Sequence, residues 1–199
     1  MIPHRLIRTV PAVTDPAAEA LWATATALHP GWEHVTLRDP VDRSRFPITS
    51  PFWDGCETGA QLADLIRAEE LWHRGGWYID SDVLCVKPFT ALCPLDGVVA
   101  WEDGDHIPNA VMGFVPGHPA VGRVLELAVE RRGQGTWAAG VGVTTEVFGE
   151  DRDDVVVLPP QMFYPVHWRV AHAQAQDWDA VVQRSPWVWA VHQYAASWH

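Results

Sequence analysis

From about Gly59 the segment AQLADLIRAEELWHR carries apolar residues at helical spacing, with Leu62, Leu65, Ile66 and Trp72 on the repeat. Gly75-Gly76 supplies a C-terminal stop, and WYI (77–79) follows at once as a short strand. Directly behind that strand stand Asp80, Ser81 and Asp82. An amphipathic helix that turns through two glycines into a strand ending in two carboxylates asks for a helix packed on the sheet it feeds. In open α/β sheets ligands sit beyond the carboxyl ends of the strands, so both aspartates are placed at such an end. Strand alternation puts them on the same side of the chain, with Ser81 opposite.

The rest of the chain supports an α/β layer. Residues 2–10 read as a first strand, with Pro11 ending it. Asp15-Pro16 reads as an N-cap and first helical residue, opening a helix to about His29 that Pro30-Gly31 stops. Strands are expected at 32–39, 77–79, 97–103, 109–117 and 155–160, with extended chain at 83–89 and a helix at 118–132. Residues 40–58 and the Gly-rich stretch 133–146 read as loops. No internal repeat or linker interrupts the alternation, so residues 1–199 are expected to form one domain.

Composition narrows the partners. A net charge of −11 disfavours a ligand held by phosphate neutralisation alone, so nucleic acid is not expected, while a divalent cation is. Cys56, Cys85 and Cys93 are odd in number and form no CxxC pair, which fits neither a disulfide framework nor a zinc finger. The opening MIPHRLIRTVP has no apolar core of signal-peptide length and no stretch is long enough to cross a membrane, so a cytoplasmic location is expected. Twelve tryptophans are many for 199 residues and hint weakly at carbohydrate, since indole rings stack on sugars.

Asp64 and Arg67 are three apart and share a helix face, which by itself describes a solvated ion pair as well as a site. Asp80 and Asp82 say more. Two adjacent carboxylates repel unless a cation lies between them, and carboxylate oxygens suit Mg²⁺ or Mn²⁺. A second Asp-x-Asp, Asp103 and Asp105, precedes the segment around Asn109 and is expected at the rim of a pocket, as a solvated loop or an acceptor contact. His118 follows Pro-Gly and opens a helix, which reads as structural.

ADLIRAEELWHRGGWYIDSDVLCVKPF resembles the core block of the Asp-x-Asp glycosyltransferases of family 32, with Ala63-Asp64-Leu65-x-Arg67, Gly75-Gly76, Tyr78, Asp80, Asp82 and Pro88 all in register. IPHRLIRTVP resembles the family's opening strand without its usual Lys and His, and no role is carried over to His4. NAVMGFVPGHP resembles its Asn-Ala-x-x-Gly segment, and AVHQYAASWH its closing His-x-x-x-x-Ser-Trp. The stretch 137–146 resembles the family's Gly-Pro-x-x-x-Thr segment loosely, with Val141 where proline is usual.

The resemblance implies a GT-A-type, Rossmann-like nucleotide-diphospho-sugar transferase fold: a central mixed, mostly parallel sheet flanked by helices. It implies a metal-dependent, retaining transfer of a hexose from a nucleotide-sugar, a UDP-sugar in preference to GDP-mannose, to a glycan or other hydroxyl acceptor. Asp82 would bind Mn²⁺ or Mg²⁺, and Asp80 would touch the metal, the ribose or the donor sugar. Asp64 and Arg67 would hold the sugar hydroxyls and the diphosphate. Tyr78 would support the nucleotide pocket and Asn109 would line the sugar pocket. His192 or Ser197 would complete the metal shell, and Trp198 would cover the donor. Two rivals stand beside this reading. A phosphatase-like Asp-x-Asp hydrolase wants a Thr shortly after the second Asp, where this chain has Val83-Leu84. An inactive sugar- or nucleotide-binding module would keep the fold without turnover.

Overall fold

Asp15 and Thr58 start the two long N-terminal helices with their own side chains. In the computed structural model, which describes residues 1–150 and 152–195, the Asp15 carboxylate accepts the Ala17 amide at 2.8 Å and Pro16 opens helix α1 (Pro16–Leu28). The Thr58 hydroxyl accepts the Gln61 amide at the start of α2 (Gly59–Arg74). Helix α2 ends at Gly75, whose φ is 62° and where a Cβ would stand 2.6 Å from the Phe114 carbonyl oxygen. The chain therefore turns there at a radius that only glycine permits.

The strands are β1 (Arg5–Val10), β2 (Glu33–Arg38), β3 (Gly76–Ile79), β4 (Val83–Cys85), β5 (Gly97–Ala100), β6 (Val111–Phe114), β7 (Val156–Leu158) and β8 (Ala190–His192). Six of them form one sheet in the order β2-β1-β3-β6-β5-β7. Strand β6 runs antiparallel to both neighbours, and the pairs β1–β2, β1–β3 and β5–β7 are parallel. Strands β4 and β8 pair antiparallel in a small second sheet, Val83 opposite His192.

The inner strands β3, β5 and β6 are buried on both faces, which is why they read as runs of apolar residues. Ile7, Tyr78, Met112 and Phe114 face one core, built with α2, α3 (Pro119–Glu130) and α5 (Val141–Phe148). Leu6, Trp77, Ile79, Val98 and Val111 face the other, where β4, Phe89 and Phe163 pack. His118 caps α3, its ring accepting the Ala120 amide at 3.2 Å. Cys56, Cys85 and Cys93 are free thiols.

Three readings of the sequence need correction. The stretch 133–146 is not a loop throughout: it holds α4 (Thr136–Ala139) and the start of α5. Val143, Val147 and Phe148 bury one side of α5, an apolar repeat that the glycines around it obscure. Helices α6 (Trp168–Ala173) and α7 (Trp178–Arg184), too short to show a period, had no counterpart in the sequence reading. Finally, α2, expected as an amphipathic helix, is enclosed on its polar side as well, with Glu69 and Glu70 fully buried. Glu69 is satisfied by the Ile48 and Thr49 amides and the Thr49 hydroxyl, at 2.9, 2.7 and 2.6 Å. Glu70 is satisfied by Arg5 and Arg74, at 2.9 and 2.8 Å.

Candidate functional site

Strand β3 stops at Ile79 and the chain folds into a tight turn, closed by the Val83 amide donating to the Asp80 carbonyl at 3.1 Å. The alternation expected for Asp80, Ser81 and Asp82 therefore does not hold, because the residues lie in a turn and not in a strand. The two carboxylates nonetheless converge. Together with His192 they offer ligand atoms that all lie within 4.8 Å of one another.

The partner in this cluster comes from more than a hundred residues away. Strand β8 lays His192 against Val83, and the His192 Nε2 stands 3.3 Å from Asp82 Oδ1. The Ala195 amide donates to Asp82 Oδ2 at 2.8 Å and the Gln193 amide to the Asp82 carbonyl at 3.0 Å. Burial opposes the Asp82 charge, but the His192 ring and the Ala195 amide outweigh it and hold the carboxyl below its usual range. Burial likewise opposes a charged His192, and Asp82 outweighs it and raises the imidazole. The other ring nitrogen, Nδ1, is buried without a hydrogen-bond partner among the described residues. Two carboxylates and an imidazole with an unsatisfied edge are a donor set that fits Mn²⁺ or Mg²⁺.

Behind Asp80 lies a second group of charges. Arg67 is 4% exposed and stands 3.0 Å from Asp80 and 3.3 Å from Asp64. Its guanidinium also donates to the Asn109 carbonyl at 2.8 Å and lies over the Tyr78 ring, 4.4 Å from the centroid. The Asn109 amide donates to Asp64 at 2.8 Å. Burial pushes the Asp64 carboxyl up to about 6, against the pull of Arg67. Asp80 is also raised by burial, again against Arg67. Arg67 itself stays charged, since Asp80, Tyr78 and Asp64 outweigh its burial.

Tyr78 does not open onto the cleft. It is fully buried beneath Asp80, donating to its carboxylate at 2.9 Å and sharing a 2.7 Å hydrogen bond with Thr9 on β1. The β1–β3 register, Ile7 opposite Tyr78, brings that threonine within reach.

Asp64, Arg67, Asp80, Asp82, Asn109 and His192 thus border one cleft of about 370 Å³. Ser197 and Trp198 lie outside the described residues. Sequence reasoning missed several residues that shape the cleft. Tyr194 has a φ of 55° and donates its hydroxyl to Glu102 at 2.8 Å, spanning the cleft edge. It sits inside the AVHQYAASWH motif, and its aromatic ring between His192 and Ser197 was the signal available. Trp137, Val141 and His172 also line the cleft. Gly140, between α4 and α5, approaches so closely that a Cβ there would stand 2.5 Å from Asp64 Oδ2.

Residues 19–99 match the family described as the glycosyltransferase sugar-binding region containing a DXD motif. Asp80-Ser81-Asp82 is its DXD motif. The chain is 32% identical over 114 residues to inositol phosphoceramide mannosyltransferase 2 of Schizosaccharomyces pombe, across 55% of this chain and 33% of that protein. It is 28% identical over 131 residues to alpha-1,4-N-acetylglucosaminyltransferase of Homo sapiens, across 59% of this chain and 37% of that one. It therefore spans about a third of the length of these curated relatives. The solved PaToxG glycosyltransferase aligns with a TM-score of 0.63 at 16% identity, covering 74% of this chain and 69% of that one. The fold around the DXD motif is that of the GT-A glycosyltransferases, an α/β sandwich with a mixed sheet. Among the described residues no helix is long and apolar enough to cross a membrane.

Proposed function

We propose that the chain is a metal-dependent, retaining glycosyltransferase that moves a hexose from a nucleotide-sugar to a hydroxyl acceptor. The observation that carries this reading is the convergence of Asp80, Asp82 and His192 at the end of β3, beside the Arg67–Asp64–Asn109 group. Asp80, Asp82 and His192 would hold Mn²⁺ or Mg²⁺, which supplies Lewis-acid stabilisation of diphosphate charge. Arg67 adds a fixed guanidinium behind that charge, in a site where little water screens it. Asp64, oriented by Asn109, accepts hydrogen bonds from the donor sugar hydroxyls. Tyr78 and Thr9 fix the Asp80 carboxylate from below. A hollow of about 220 Å³ on the other side of Asp82, between the end of β1 and the start of α1, receives the nucleoside.

The anomeric carbon loses its bond to the diphosphate oxygen, and the electron pair departs with the diphosphate. The acceptor hydroxyl oxygen forms the new bond on the same face, and its proton passes to the departing diphosphate oxygen. Asp64 and Asp80 are both paired with Arg67, which disfavours either as a nucleophile and supports same-face attack as the route to retention. A UDP-sugar is the favoured donor, with GDP-mannose its competitor. The transfer of mannose by one relative and of N-acetylglucosamine by another keeps both in the test. Nucleotide release from UDP-glucose, UDP-galactose, UDP-N-acetylglucosamine and GDP-mannose should appear with Mn²⁺ and vanish with EDTA. Release that is indifferent to EDTA would overturn the metal-dependent reading.

A further inference from the structure

Beside the DXD cleft, and sharing Asp80, Asn109, Trp137 and His192 with it, lies a second hollow of about 570 Å³. That volume falls within the range of small-molecule sites, roughly 300–1,000 Å³. We propose that this hollow is the acceptor subsite, that it takes an uncharged pyranose between tryptophan faces and carboxylates, and that it turns anionic acceptors away. The proposal rests on the donor reading above.

Two indole rings border the hollow and remain open to water: Trp137 is 61% exposed and Trp168 is 40% exposed. The His106 ring meets Trp137 edge-on at 6.2 Å, and the His167 ring stacks on Trp168 at 5.8 Å. Partly wet aromatic faces are what the apolar face of a pyranose stacks on.

The polar lining has a sign. Glu102, Asp103 and Asp105 face the hollow, and Arg169 is the one Lys or Arg among its described lining residues. Arg169 lies over the Trp168 ring, 5.3 Å from the centroid. Asp103 accepts from the Asp105 and His106 amides at 2.8 and 2.7 Å, and stands 3.1 Å from His106 Nδ1 and 3.3 Å from His167 Nε2. Although burial opposes its charge, these bonds hold it down to about 2, which favours the ionised carboxylate at neutral pH. Glu102 accepts from the Trp168 amide at 3.2 Å and from the Tyr194 hydroxyl at 2.8 Å, which ties α6 to the segment after β8. Ionised carboxylates accept hydrogen bonds from sugar hydroxyls and repel a phosphate or uronate brought beside them. The hollow opens on Asp80, so a hydroxyl of the bound pyranose reaches the anomeric carbon of the donor. Its oxygen forms the new bond as the diphosphate leaves with the electron pair and takes the hydroxyl proton.

The test supplies the wild-type protein and Mn²⁺ with its nucleotide-sugar and measures nucleotide release against methyl glycosides of glucose, galactose, mannose and N-acetylglucosamine. Glucuronate and mannose 6-phosphate are the anionic counterparts. The thermal shift with nucleotide and Mn²⁺ reports the donor site in every variant. At least one neutral glycoside should stimulate release, with kcat/KM at least about tenfold above either anion. Trp168→Ala should raise the KM for that glycoside roughly three- to tenfold, the loss of one ring stack. Asp103→Asn should narrow the discrimination against the anions by at least about threefold. Anions used as well as neutral sugars, or a shift that persists while no glycoside stimulates release, would overturn the acceptor proposal and leave the donor reading standing. Absence of any nucleotide- and Mn²⁺-dependent shift would instead overturn the donor reading.

Discussion

Arg67 sits between the buried Asp64 and the partly buried Asp80, two carboxylates that no other described Lys or Arg pairs with. Removing one member of a buried ion-pair group costs about 3–5 kcal/mol, because the charges left behind lose their partner. Arg67→Ala should therefore lower the melting temperature by roughly 6–20 °C for a chain of this size. A melting temperature unchanged to within about 2 °C would show that the pairing carries no stability. Asp64 gives a pH signature. Its folded carboxyl titrates at about 6, above the ordinary 3.8, so between those values the folded state binds more protons than the unfolded one. That contribution to stability is complete below about pH 4 and is lost as pH rises through 6. Asp80 is raised in the same direction and Asp82 is lowered, so the contribution is isolated as the difference between wild type and Asp64→Asn in metal-free buffer. The wild type should lose stability relative to the variant across that window; a difference flat with pH would refute the assignment. At this scale the sequence was informative about which residues matter and silent about their contacts. Asp64, Arg67, Asp80 and Asp82 stand within one local block, whereas the Thr9–Tyr78 hydrogen bond depends on strand register that no local pattern records.

Elements whose ends carry their own chemistry were legible. Asp15-Pro16 and Gly75 are local signals for where α1 begins and α2 ends, and the chain obeys them. Elements defined by what they pack against were not. Residues 133–146 looked like a loop because glycine dominates the pattern, yet Val143, Val147 and Phe148 settle α5 into a core supplied by other elements. The glycine at the α4–α5 junction has a site consequence. A methyl group at Gly140 would lie 2.5 Å from Asp64 Oδ2 and 3.1 Å from the Thr136 carbonyl. The Gly140 φ of −105° and ψ of −101° lie outside the main regions open to a residue with a Cβ, so Gly140→Ala should displace the Asp64 carboxylate and also strain the α4–α5 junction. The expected result is a raised donor KM, roughly tenfold or more for one misplaced hydrogen-bonding carboxylate, together with a lowered melting temperature. Donor kinetics left unchanged would show that Asp64 does not contact the sugar.

Across the whole molecule, the alternation of strands and helices was legible, because each piece of an α/β layer repeats the same local grammar. The closing of the site was not. His192 reaches Asp82 only because β8 pairs with β4, and Glu69 is silent at the surface only because residues 48 and 49 fold over it. Both facts are long-range and leave no periodicity behind. The account as a whole rests on one claim: that the DXD turn and the β8 segment together make a site for a metal-bound nucleoside diphosphate. The direct measurement is thermal stability with UDP or GDP, each with Mn²⁺ and with EDTA, in wild type and in Asp82→Ala. A ligand at about 100 times its Kd stabilises by about 2.7 kcal/mol, a rise of roughly 5–10 °C for a chain of this length. The account predicts that rise for one of the two nucleotides, with Mn²⁺ only, and its loss in Asp82→Ala. No rise with either nucleotide under any metal condition, or a rise that survives Asp82→Ala undiminished, would contradict it.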